Sequence, residues 1–70
     1  MKISARNQLK GSVVSITRGA VNADVLIKID GGAEIVSQIT TDSVDRLSLA
    51  IGKSCYAIIK ASSIMVGTQD

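Results

Sequence analysis

Ser4, Arg6 and Asn7 place a hydroxyl, a guanidinium and an amide within four residues, flanked by Ile3 and Leu9. Held on a fixed piece of backbone, such groups can grip an oxyanion. An oxyanion offers acceptor oxygens, so its site wants guanidinium, ammonium, hydroxyl and backbone N–H donors. Thirteen of the 70 residues are Ser or Thr, and several stand near cations or at a helix start. Lys60 is followed by Ala61-Ser62-Ser63, and Thr40-Thr41-Asp42-Ser43 carries hydroxyls where a helix begins. A helix start adds unpaired N–H groups and a favourable dipole. Each of these residues also has an ordinary reading. An N-terminal Arg is commonly solvated or ion-paired, a strand-end Lys faces water, and Thr or Ser before a helix is a cap. Spacing alone does not bring Arg6, Ser43 and Lys60 together.

Other chemistry is largely excluded. Histidine is absent, so the commonest general base near neutral pH is missing. Cys55 is the single cysteine, which rules out an internal disulfide and leaves no zinc ligand set. It sits on an apolar alternation and reads as core. Asp42 and Asp45, three apart, read as acid at a helix N-terminus rather than as a metal pair. Gly31-Gly32 lacks the flanking residues of a phosphate loop. No acid–base pair remains, and the chain reads as a binding protein rather than an enzyme. Eight Lys/Arg against six Asp/Glu are interspersed, and Tyr56 is the one aromatic. A nucleic-acid groove wants a basic stripe with stacking platforms, so that partner is disfavoured. No apolar run approaches the ~20 residues that span a bilayer, and the N-terminus lacks a signal-peptide core. With a lone thiol, this points to the cytoplasm.

Glycine punctuates the chain, since proline is absent. Leu9 to Thr17 reads as a first strand with a bend or bulge at Gly11, and Arg18-Gly19-Ala20 as a turn. Asn22 to Ile29 is a strand with Ala23, Val25, Ile27 and Ile29 on one face. Asp30-Gly31-Gly32 signals a hairpin into a third strand, Glu34 to Thr40. Thr41 to Leu47 reads as a helix of two turns at most, with Val44 and Leu47 inward. Ser54 to Lys60 is a fourth strand, Ile64 to Gly67 a short closing fifth, and Thr68-Gln69-Asp70 a frayed polar tail. This order, β-β-β-α-β-β, predicts an all-β fold: a small five-stranded OB-like barrel with one short helix between strands 3 and 4. Residues 1–70 form one domain. A chain this short buries only roughly 60% of its unfolded surface and needs a staple. With disulfide and zinc excluded, oligomerisation is the staple that remains. A hydrophobic fraction of 46% supplies side chains for subunit contacts as well as for a core.

Three segments resemble the Mop-type molbindins, small molybdate-binding proteins, over nearly the full length. They are Ile3-Ser4-Ala5-Arg6-Asn7-Gln8-Leu9-Lys10-Gly11; Ile39-Thr40 with Asp42-Ser43-Val44; and Ala57-Ile58-Ile59-Lys60-Ala61-Ser62-Ser63-Ile64-Met65-Val66. The resemblance implies an OB-like barrel assembled as a homohexamer, a trimer of dimers. It implies molybdate or tungstate held between subunits, one giving the N-terminal motif and another the later segments. The implied contacts are Ser4, Ala5, Arg6 and Asn7, with Lys60, Ala61 and Ser62, and Thr40 and Ser43 completing the shell. Ala5 and Ala61 would act through backbone N–H, and Asp42 would face away. A second class of site is implied near Gly19, Ala20, Val21 and Asn22. Ser12 departs from a basic residue common in the family, and Ser48-Leu49-Ala50 from a Gly-Leu pair and a charge. Two other readings stay open: an OB-type single-strand nucleic-acid binder, and an interaction module without a small ligand.

Overall fold

The computed structural model describes residues 1–69. Four strands form one antiparallel sheet: β1 (Asn7–Arg18), β2 (Asn22–Ile29), β3 (Glu34–Thr40) and β4 (Ser54–Ile59), in the order β3-β2-β1-β4. Helix α1 (Thr41–Arg46) lies between β3 and β4, and Ala61–Ser63 form one 3-10 turn. No helix among the described residues is long and apolar enough to cross a membrane.

β1 is longer than its apolar alternation suggests because it serves two partners. Its first half, Asn7 to Ser12, pairs with β4; its second, Gly11 to Arg18, pairs with β2. Only Gly11 and Ser12 pair on both sides, and the sheet curls there into a half-barrel. The bulge falls between Val13 and Ser15 rather than at Gly11. Gly11 has a different task. A Cβ at this position would collide with the carbonyl oxygen of Lys28. Glycine therefore allows β2 to approach the point where β1 changes partners.

The β2–β3 hairpin follows the sequence signal. Gly31 and Gly32 have φ of 104° and 121°, a region that costs glycine little. Gly32 N–H donates to Ile29 C=O at 3.0 Å and closes the turn. Alternation then sends Ala23, Val25 and Ile27 inward, where they meet Val13, Ala57 and Val44 in a small core. Ile29 is only half-buried, because it lies at the hairpin end. Val44 is 0% exposed, but Leu47 does not join it as its spacing suggested and is 55% exposed. The helix ends at Arg46, so the inward position passes to Leu49, whose N–H donates to Val44 C=O at 3.0 Å. Lys53 Nζ holds this turn, donating to the carbonyls of Leu47 at 2.7 Å and Ser48 at 3.2 Å.

The closing fifth strand is not formed. After β4, Ser63 N–H donates to Lys60 C=O and Ile64 N–H to Ala61 C=O, and this turn carries the chain off the sheet edge. Met65 and Val66 are 93% and 91% exposed. Among the described residues β3 and β4 are both edges, and the barrel is open between them. The opening is an apolar cavity of about 340 Å³ whose walls include Val25, Ile27, Ile39, Leu49, Cys55 and Tyr56. The polar tail lies partly beyond view, since Asp70 is outside the described residues.

Cys55 packs against the core at the edge of this cavity, and burial pushes its thiol up from the ordinary value. A raised thiol contributes stability that is fully present below the ordinary thiol pKa and is lost as pH rises from there through the raised value of the folded state. Two outcomes follow. Gly11→Ala lowers the denaturant-derived stability by about 1–3 kcal/mol, through overpacking against the Lys28 carbonyl. Cys55 reacts with Ellman's reagent more slowly in native than in urea-unfolded protein at pH 8, because less thiolate is present.

Candidate oxyanion site

The strand register sorts the candidate residues into two groups. At one end of the β1–β4 ladder, Asn7 pairs with Ile59. The register ends at that pair, so Ser4–Arg6 lead into this end of the ladder and Lys60, Ala61 and Ser62 lead out of it. Asn7 Nδ2 reinforces the junction by donating to Ile59 C=O at 3.3 Å. Gln8 Nε2 donates back to Ala5 C=O at 2.8 Å and shapes the turn before the strand. Ala5 and Asn7 are half-buried, whereas Ser4, Arg6, Lys60, Ala61 and Ser62 are exposed. Among the described residues neither Arg6 nor Lys60 forms a salt bridge. Two cations and a set of hydroxyls thus stand free at one corner with no carboxylate paired to them. That arrangement suits an anion by charge and by donor count.

The second group lies at the other end of β1, twelve residues along, roughly 35 Å of strand. There Asn22 pairs with Thr40. The turn Gly19–Asn22 is closed by Gly19 N–H donating to Asn22 C=O at 2.7 Å. Thr41 ties the helix start to this turn, its N–H and hydroxyl donating to Val21 C=O at 2.8 and 3.1 Å. Arg18 pairs with Asp45 at 2.9 Å across the same end. Thr40 and Ser43 thus stand beside Gly19, Ala20, Val21 and Asn22 in one chain, and not beside Lys60. The grouping of Lys60 with Thr40 and Ser43 as one half of a site, apart from the N-terminal motif, does not match the fold of a single chain. Strand pairing decides this, and sequence spacing carries no trace of it.

The helix start is internally satisfied. Thr40 is the N-cap, with φ −71° and ψ 151°, and its Oγ1 accepts the Ser43 N–H at 3.0 Å. Thr40 Oγ1 in turn donates to Ser43 Oγ at 2.8 Å. Arg46, which the sequence reading left aside, donates from Nη2 to Ser43 Oγ at 3.2 Å. Its Nε lies 3.6 Å from Asp42 Oδ2, so that carboxylate is engaged within the helix. The i, i+3 and i, i+4 spacings of Arg46 from Ser43 and Asp42 were the available signal. No group of three or more His, Cys, Asp or Glu among the described residues could hold a metal cation.

Comparison with known proteins gives the family. The TOBE domain model matches residues 3–66. The chain is 58% identical over 69 residues to the probable molybdenum-pterin-binding protein of Haemophilus influenzae, covering 99% of this chain and all of that one. Among solved structures it is similar to MopII from Clostridium pasteurianum, with a TM-score of 0.90 and 43% identity over 96% of this chain and 100% of that chain. It is similar also to a molybdate-binding protein from Sporomusa ovata, with a TM-score of 0.91 and 40% identity over 97% of this chain and 100% of that one. The chain therefore belongs to the TOBE-domain family and, within it, to the Mop-type molbindins, the small molybdenum-pterin-binding proteins.

Proposed function

We propose that this protein binds molybdate or tungstate at subunit interfaces of a homo-oligomer and serves as an intracellular store or buffer for the anion. The carrying observation is the end of the β1–β4 ladder to which Ser4–Asn7 and Lys60–Ser62 both belong, rich in donors and, among the described residues, with neither cation in a salt bridge. Arg6 and Lys60 supply charge, Ser4 and Ser62 hydroxyl donors, and Ala5 and Ala61 their backbone N–H groups. Asn7 braces the corner through Ile59 and lies within the same shell. Thr40 and Ser43 reach an anion at this corner from another copy, because in their own chain they stand at the far end of β1. The Gly19–Asn22 turn beside them is the place for a second class of anion. Molybdate binding in the Sporomusa ovata relative, alike over nearly the whole length, supports the same ligand here. Binding without catalysis is part of this reading, and the molybdate-binding relative supports it. The cytoplasm suits a chain with one unpaired thiol.

The open half-barrel supports the oligomer. A second copy laid on the β3 and β4 edges would cover the apolar cavity and the exposed Ile64-Met65-Val66 together. The hexamer, a trimer of dimers, is the arrangement we propose. Ligand held between copies stabilises the assembly by mass action, so anion uptake and assembly are coupled.

Titration calorimetry gives heat with molybdate and tungstate and far weaker binding of phosphate; no molybdate heat at micromolar protein overturns the reading. Arg6→Ala and Lys60→Ala each weaken molybdate binding by about tenfold to a hundredfold, since each removes a charged hydrogen bond to the anion. Light scattering shows a multiple of the chain mass, and Met65→Asp with Val66→Asp lowers it. A monomeric wild-type chain contradicts the interface site.

A further inference from the structure

Gln8 reaches back from β1 into the N-terminal motif. Its backbone is fixed in the ladder, where it pairs with Ile58. Its side chain donates from Nε2 to the carbonyl oxygen of Ala5 at 2.8 Å. This bond has one possible direction, because a carbonyl oxygen carries no proton and the amide must supply it. Ala5 and Arg6 precede the strand, and the N–H of Arg6 meets no backbone carbonyl among the described residues. The peptide joining Ala5 to Arg6 is trans, so its C=O and its N–H point to opposite sides of the chain. Holding the Ala5 carbonyl toward Gln8 therefore turns the Arg6 N–H away from Gln8.

We propose that Gln8 is a positioning residue for the anion site: by holding the Ala5 carbonyl, it makes the backbone N–H of Arg6 a fixed donor to the anion. The inference rests on the function proposed above. A dianion is attracted by N–H groups and repelled by carbonyl oxygens. A half-turn of this one peptide plane would exchange the two groups and set a carbonyl where the site wants a donor. Pairing with β4 starts at Asn7, so the ladder does not hold Ser4–Arg6 against that turn. The Gln8 amide supplies the missing restraint from a backbone that is already ordered. It carries no charge, so it orders the turn without adding a general attraction for anions.

Gln8→Met in the full chain tests this, because methionine keeps the length of the side chain and removes the donor. Gln8 is exposed, so the core is untouched and the urea midpoint stays close to wild type. The probe is molybdate, read by titration calorimetry and by the backbone resonances of isotope-labelled protein. In wild type the Arg6 amide proton moves downfield on saturation with molybdate. In ligand-free Gln8→Met the Ala5 carbonyl carbon moves upfield, as its hydrogen bond is lost. Molybdate affinity then falls by about twofold to tenfold, the range of one hydrogen bond, and the Arg6 response shrinks. A merely structural role would lower affinity and leave the Arg6 response at saturation as in wild type. That result, an Arg6 amide that does not respond in wild type, or unchanged affinity in Gln8→Met overturns the role of Gln8 while the site reading stands. Absence of molybdate binding in wild type fails the site reading itself, and this inference with it.

Discussion

The structure depends on one shared segment of backbone, Gly11 and Ser12, where β1 pairs with β2 on one side and β4 on the other. The two pairings are staggered: Asn7 to Ser12 face β4 and Gly11 to Arg18 face β2. The curl at this point turns four strands into a half-barrel and folds Val13, Val25, Ile27 and Ala57 over Val44. Glycine is needed because the Lys28 carbonyl occupies the place of a side chain. Every other feature of the molecule is referred to this crossing: which end of β1 meets which loop, and which edges stay open.

The two ends of β1 have different electrostatic characters. At the β4 end, Arg6 and Lys60 carry no ion pair among the described residues. At the other, Asp45 engages Arg18, and Asp42 engages Arg46. Salt bridges this exposed contribute little to stability. Their consequence is local: the helix carboxylates are held by cations of their own. Dianion binding would be opposed by free carboxylates, so this partition is consistent with the family's chemistry at both ends.

A small core and an open edge together leave apolar surface of the single chain uncovered. Six residues form the buried cluster, while the wall between β3 and β4 is apolar and uncovered. Edges of this kind attract another strand or surface unless they are blunted. The apolar Ile64-Met65-Val66 segment leaves its own sheet just after the donor-bearing turn Ala61–Ser63. The proposed ligand site and the surface proposed for self-association are thus neighbours along the chain.

Much of this was legible in the residues themselves. Alternation gave β2 and β3 to the residue, Asp30-Gly31-Gly32 gave the hairpin, and Thr40 was readable as a cap, because each is a local signal with a local cause. The three motifs from Ile3, Ile39 and Ala57 also carried the family resemblance that the comparisons show. Local signals failed where partners at long range decide. Gly11 read as a bend or bulge; the sheet does curl there, but the bulge falls between Val13 and Ser15 and Gly11 admits the close approach of β2. Leu47 read as core from its spacing, but a six-residue helix ends before it. Ile64 to Gly67 read as a closing strand, since its composition is that of a strand, and the turn before it carries it off the sheet edge. The donor residues were nameable one by one. Their division into two ends, with Lys60 following the partner of Asn7 and Thr40 beside Asn22, was set by strand pairing, because register couples Asn7 with Ile59, 52 positions away, and Asn22 with Thr40, and no spacing in the chain records it.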